Sequence, residues 1–158
     1  DVTIVMTVLA SDVDNSPEIT GSLAASIAVS ISDIPFNGII ASISVGLIDG
    51  EIILNPGTEQ REKSDLNLTV AGSKDKIVMI EAGANEVDDE TMLKAIEAGH
   101  EEIKHMVDFI ATHQQEVGKE KFKFESQELT EEMFADVSAI AYEDTKLALD
   151  TDNKLVRD

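Results

Sequence analysis

The stretch that decides the fold is IIASISVGLIDGEIIL, residues 39–54. In its first part, apolar side chains occupy every second position, which is typical of a strand with one face against a core. These side chains are Ile39, Ala41, Ile43, Val45 and Leu47, with Ser42, Ser44 and Gly46 between them. Asp49-Gly50 is a strong hairpin signal, because a two-residue turn needs positive φ. The stretch therefore predicts a β-hairpin whose second strand covers residues 51–54.

On the N-terminal side of the hairpin, the pattern predicts one strand and one helix. Residues 2–9 are rich in Val, Ile and Thr, which favours a strand. Ser16 is a good N-cap, and Pro17 at the first helical position has no N–H to leave unsatisfied. The helix is expected to run to Ile31 and to end before Pro35, since a residue preceding proline is pushed out of the α region.

On the C-terminal side, residues 66–71 and 77–82 predict a second strand pair. At Asp88 the apolar period changes from 2 to 3.6, which predicts a helix to about Gln115. Its apolar face comprises Met92, Ile96, Gly99, Ile103, Met106 and Ile110. Another helix is predicted to open at Leu129-Thr130. The side chains expected to point inward from it are Phe134, Val137, Ile140, Ala141 and Ala148.

These elements predict an α+β domain followed by a helical segment. The predicted divisions are a domain at 1–117, a charged linker at 118–128 and a helical segment at 129–158. The chain of 158 residues does not begin with Met, which suggests a piece of a longer protein.

Composition limits the classes of function. The formal net charge is −20, so the chain has no basic surface of its own for nucleic acid phosphates. It has no cysteine, which excludes disulfides and thiolate metal sites and is compatible with a reducing cytoplasm. No apolar run is long enough to span a membrane, and no signal peptide is recognisable. We therefore expect a cytoplasmic protein without a membrane partner.

Two apparent metal motifs fail on geometry. His100 and His105 lie five residues apart, about 140° around a helix, so they cannot share a zinc ion. The segment from Asp12 opens like a calcium loop, but Pro17 stands where glycine is needed and Leu23 where the bidentate Glu belongs. Neither segment predicts a metal site.

Several segments resemble, in order and in register, the first ribonuclease-PH-like core domain of the polynucleotide phosphorylase family. They are IPFNG at 34–38, VGLIDGEIILNP at 45–56, SDLNLTVAGS at 64–73 and MIEAGANEVDDETMLKAIEAGHE at 79–101. Residues 130–158 resemble the start of the all-helical domain that follows in that family. The resemblance covers essentially the whole chain.

The resemblance implies the second half of that core, a mixed sheet with packed helices, plus the beginning of the helical domain. It also implies a parent enzyme that degrades RNA from the 3′ end with phosphate and releases nucleoside diphosphates. That parent is expected to form a homotrimeric ring with a central RNA channel, to use Mg²⁺ or Mn²⁺, and to join RNA-degradation complexes. The catalytic second core of the family is not part of this sequence.

The resemblance further implies that this segment carries a degenerate site. Two aspartates of the family's active core correspond here to Arg61 and Asn67, a formal change of about +3. Since unit charges 4 Å apart interact by about 4 kcal/mol at an effective dielectric of 20, we expect no metal ion and no catalytic residue here. The family's phosphate-binding serine run corresponds to Ser16, Pro17 and Glu18. We expect no phosphate site there, because a donor is lost and a negative charge is added.

The remaining carboxylates of this region are Glu59, Glu62 and Asp65, which we interpret as a solvated face; only Asp65 merits a test for metal. Two alternatives to a structural half-domain remain. One is an independent, non-enzymatic interaction module. The other is a fragment of a single-core ribonuclease PH that trims tRNA, which the helical segment after Gly118 disfavours.

Overall fold

The structure, a computed structural model, describes residues 2–125 and 128–157. The chain forms two compact units, Asp1–Phe122 and Lys123–Asp158. The first unit contains a β-sheet and three helices, and the second contains helices. The α+β class predicted from the sequence is confirmed.

A four-stranded sheet forms the centre of the first unit. Its strands are β1 (Ala41–Ile48), β2 (Glu51–Leu54), β3 (Leu66–Gly72) and β4 (Ile77–Ala84). Their order is β2-β1-β3-β4, and every neighbouring pair is antiparallel. The turn between β1 and β2 has φ of 51° at Asp49 and 82° at Gly50. Both predicted strand pairs, and the hairpin turn, are confirmed.

Helices flank this sheet. They are α1 (Pro17–Ile31), α2 (Thr58–Lys63) and α3 (Asp89–Val117). The predicted N-cap of α1 is confirmed, since the Ser16 hydroxyl accepts the N–H of Ile19; at the start of α3 the Asp88 carboxylate accepts the N–H of Thr91. These caps satisfy backbone donors that have no partner inside the helix.

The core lies between α3 and one face of the sheet. Its fully buried members include Ile43, Val45, Leu66, Leu68, Val70, Ala95 and Ile103. Strand register places Ile43 opposite Val70, so their side chains share that face. A Cβ at Gly99 would lie 3.1–3.3 Å from side-chain carbons of Val45, Ile43 and Val70. Glycine therefore lets α3 approach the sheet closely.

The predicted strand at residues 2–9 is wrong. The described residues there form no strand, and their apolar side chains are exposed. A strand requires a hydrogen-bonded neighbour, and the four-stranded sheet does not pair with this segment. The Met6 sulfur lies only 2.9 Å from where a Cβ would stand at Gly21, so Met6 packs against α1 instead.

The sequence patterns assigned no helix between the strands at 51–54 and 66–71, but the structure has α2 there. Two side chains satisfy backbone donors at the start of this short helix. Gln60 accepts the N–H of Gly57 at 2.9 Å, and Asp14 accepts the N–H of Thr58 at 3.1 Å. The second contact comes from a distant part of the chain and could not be read from local sequence.

The second unit contains α4 (Glu131–Leu149) and α5 (Lys154–Arg157). Thr130 caps α4 by accepting the N–H of Met133. The expectation that the apolar face of α4 points inward is wrong for Phe134, Val137 and Ile140, which are 67%, 64% and 83% exposed. Among the described residues of this unit, α4 has only the short helix α5 beside it, and these three side chains are exposed.

None of the helices in the described part of the chain combines the length and apolar character that crossing a bilayer requires.

Candidate functional site

The five positions that correspond to the family's active-site residues line one groove. They are Ser16, Pro17, Glu18, Arg61 and Asn67. This groove lies on the sheet face opposite α3 and has a volume of about 1040 Å³. Its sheet residues include Ser42, Ser44, Asn67, Thr69 and Glu81, and its other wall includes Asp12, Ser16, Pro17, Glu18 and Arg61. The alternation of side chains along β1 and β3 produces this arrangement, since it directs apolar groups to α3 and polar groups to the groove.

The N-terminus of α1 is occupied by a carboxylate of the chain itself. The hydroxyl of Ser16 donates to Oε2 of Glu18 at 2.6 Å and accepts the N–H of Ile19 at 3.4 Å. Pro17 supplies no N–H. The Ser16 hydrogen bond, followed by the backbone N–H of Glu18, lowers the pKa of the Glu18 carboxyl, and the charge of Arg61 adds a smaller effect. The anionic group at this helix end is therefore internal.

Arg61 is engaged by main-chain oxygens. Its Nη1 donates to the carbonyl of Pro56 at 2.8 Å, and its Nη2 donates to the carbonyl of Val13 at 3.1 Å and to Thr58 Oγ1 at 2.9 Å. The Thr58 hydroxyl also donates to the carbonyl of Val13. The guanidinium thus ties the segment before α1 to α2, a role that its position in the sequence does not reveal.

Asn67 lies near the start of β3, an inner strand of the sheet, and is exposed. Its neighbours in register are Gly46 on β1 and Gly83 on β4, so neither adjacent strand brings a side chain beside it. A neutral amide between two glycines offers one carbonyl oxygen and no negative charge to a cation.

Among the residues that the structure describes, the charged side chains lining the groove are Asp12, Glu18, Glu81 and Arg61, three carboxylates and one cation. This balance disfavours a phosphate or phosphodiester. Among the described residues, no three or more His, Asp or Glu side chains are grouped as a metal site.

The other carboxylates of the region lie outside this groove's lining. Glu59 and Glu62 are exposed on α2, and Asp65 is exposed immediately before β3. The backbone of Asp65 is fixed, since its N–H donates to Leu47 and its carbonyl accepts from Asn85. Their exposure agrees with the interpretation as a solvated face.

The two histidines considered as zinc ligands lie in different surroundings, His100 half-buried and His105 exposed. His100 Nε2 lies 3.0 Å from the carbonyl oxygen of Ser73, a contact that joins α3 to the turn after β3. His105 is exposed on α3.

The fold and the groove define a class of protein domain. Residues 38–102 match the family model described as "3' exoribonuclease family, domain 2". The crystal structure of rice (Oryza sativa) Rrp46 superposes with a TM-score of 0.58 over 65% of this chain and 49% of that chain, at 19% sequence identity. The first unit therefore has a ribonuclease-PH-like fold.

The sequence relatives are named polyribonucleotide nucleotidyltransferase, a synonym of polynucleotide phosphorylase. The chain is 50% identical to the protein of Ruminiclostridium cellulolyticum and 49% identical to that of Finegoldia magna, in both cases over its full length. It is 50% identical to the Clostridioides difficile protein over 99% of its length. The resemblance inferred from the sequence is confirmed. The chain spans only 22% of the length of each of these relatives.

Proposed function

We propose that this chain is the non-catalytic, structural part of a phosphate-dependent 3′-to-5′ exoribonuclease. In this proposal it shapes a trimeric ring and its RNA channel, while another part of the whole protein converts RNA and phosphate to nucleoside diphosphates. The names of the full-length relatives support the activity of the whole protein. The whole protein is proposed to act on RNA in the cytoplasm, within RNA-degradation complexes.

One observation carries the non-catalytic role. The positions that resemble the family's active site do converge on one groove, but the Glu18 carboxylate, held by Ser16, occupies the helix end. Phosphorolysis brings an anion against an anionic phosphodiester and needs cationic shielding and a vacant anion site. Among the described residues of the groove the cation is Arg61, and its guanidinium already donates to carbonyl oxygens of the chain.

The proposal assigns Mg²⁺ or Mn²⁺ to the catalytic part of the whole protein and no metal to this segment. Asn67 and the bound guanidinium of Arg61 offer no carboxylate pair for a divalent ion, which prefers several oxygen ligands. A metal held elsewhere would neutralise charge on the phosphate and the leaving group.

The exposed face of α4 favours one second candidate, an interaction module. Phe134, Val137 and Ile140 form an apolar face that a partner would cover. The two proposals differ in what the rest of the whole protein must contain, since the structural role requires a second, catalytic core.

The test is made in the whole protein, with Glu18→Gln and Arg61→Ala introduced separately. If the groove is structural, both variants keep kcat for phosphate-dependent diphosphate release within about threefold of the unsubstituted enzyme, since no transition-state contact is lost. A loss of about a hundredfold or more in kcat, with the trimer intact by sedimentation, would place the groove in the catalytic machinery and contradict the proposal.

A further inference from the structure

The C-terminal end of α1 has one local cap, Ser32, whose N–H donates to the carbonyl of Ala28 at 3.1 Å and whose hydroxyl donates to that of Val29 at 2.9 Å. Its last turn contains no basic residue, and the chain continues in extended conformation at Ser32. A helix end leaves up to four carbonyl oxygens without partners, and near a buried residue they need donors from elsewhere. Val29 and Ser30 in this turn are 7% and 3% exposed, so water reaches them poorly.

The other donors come from the last turn of α3 and from the residues that follow it. The Nζ of Lys121 donates to the carbonyls of Val29 at 3.0 Å, Ser30 at 2.9 Å and Ser32 at 2.5 Å. An ammonium group has three N–H donors, so these carbonyls match its full capacity. Gln114 Nε2 adds a second bond to the carbonyl of Ser30 at 3.1 Å.

Backbone N–H groups of the same segment bind the remaining carbonyl oxygens at this helix end. The N–H of Lys119 donates to the carbonyl of Ile31 at 3.0 Å, and the N–H of Phe122 donates to the carbonyl of Asp33 at 2.9 Å. Every carbonyl from Val29 to Asp33 thus accepts a hydrogen bond from residues 114–122. The partners lie about 90 positions apart, and no local pattern predicts them.

We propose that residues 118–122 form a strap that Lys121 closes over the end of α1, and that the Lys121 cation decides whether the strap is closed. A cation at a helix C-terminus is favoured by the helix dipole as well as by the three hydrogen bonds. Phe122 is the last residue that the strap holds, so the strap fixes the point at which the chain leaves the first unit. Neutralising Lys121, by substitution or by acylation of its amine, opens the strap and leaves the sheet in place.

The strap is tested by hydrogen exchange of the full chain, with the amide of Phe122 as the readout and the amides of β1 and β3 as the internal reference. Lys121→Met is compared with Lys119→Met, which removes the same charge from the same segment but retains the backbone N–H that bonds to Ile31. Lys121→Arg keeps the cation with a different donor geometry.

We expect Lys121→Met to speed exchange at Phe122 by about tenfold or more, relative to the intrinsic rate, because charged hydrogen bonds to three carbonyls are lost. Lys119→Met should leave that rate within about twofold, and Lys121→Arg should fall between them. Unchanged exchange in Lys121→Met would overturn the proposal. So would an equal effect of Lys119→Met, or equal acceleration at β1 and β3, which would mean that the strap does not open separately.

Discussion

Glu18 occupies the place at the N-terminus of α1 where an external anion would otherwise be favoured. The resemblance implied the loss of a phosphate site at Ser16, Pro17 and Glu18, because the proline removes a donor and the glutamate adds a negative charge. It did not predict that Ser16 would hold the carboxylate, since the same serine was needed as the N-cap. The structure shows that one hydroxyl performs both functions, donating to Glu18 and accepting from Ile19.

This arrangement predicts the titration of Glu18. Its pKa is lowered from the ordinary value of 4.5, chiefly by the Ser16 hydroxyl. Because the folded pKa is depressed, the interaction stabilises the folded chain above pH 4.5 and is lost as the pH falls through the lowered pKa. We expect Ser16→Ala to raise the Glu18 pKa toward 4.5, and Arg61→Ala to raise it less, when the carboxyl carbon is followed by NMR. A larger effect of Arg61→Ala would contradict this assignment.

Among the elements, β1, β2, β3, α1 and α3 were predicted well because each has a local cause. Alternation marks the strands, Asp49-Gly50 fixes the turn, and Ser16 and Asp88 open the helices. Residues 2–9 have an equally good local pattern, but a strand depends on a neighbour that the pattern cannot supply. The short helix α2 and the strap depend on Asp14, Arg61 and Lys121, whose partners lie far away in sequence.

The packing of α3 on the sheet predicts where the first unit is sensitive to substitution. Ile103 is fully buried between α3 and the sheet, whereas Leu93 on the same helix is 55% exposed. Ile103→Ala should lower the free energy of unfolding by about 2–5 kcal/mol, because buried area is lost and a cavity remains.

Leu93→Ala is the matched control and should cost less than about 1 kcal/mol in urea denaturation followed by circular dichroism. Similar costs for the two substitutions would show that α3 does not pack on the sheet as described.

At the scale of the whole molecule, each unit exposes large apolar side chains among its described residues. In the first unit Val5 and Leu9 are 83% and 94% exposed, and in the second Ile140 is 83% exposed. Exposed apolar groups in such numbers promote association. We expect the weight-average mass in sedimentation to rise with concentration, and Val5→Ser with Leu9→Ser to reduce that rise. A monomer over a wide concentration range would contradict this expectation.

In the proposed structural role, the net negative charge and the residues of the groove are separate obstacles to activity of this chain alone. A net charge of −20 repels RNA, the Glu18 carboxylate is held at the N-terminus of α1 by Ser16, and neither Arg61 nor Asn67 supplies a carboxylate to a metal ion. Because these defects are separate, restoring one of them should not restore activity. Arg61→Asp combined with Asn67→Asp should give at most weak Mg²⁺ or Mn²⁺ binding and no turnover.

The most direct measurement is phosphate-dependent release of nucleoside diphosphates from a single-stranded RNA, in the presence of Mg²⁺ or Mn²⁺. It is run on the 158-residue chain, on its Arg61→Asp/Asn67→Asp variant and on the whole protein. We predict release by the whole protein and none by either form of the chain alone. Release by the unsubstituted chain that disappears on Asp65→Ala would contradict the account, because it would show a working site in the region assigned a structural role.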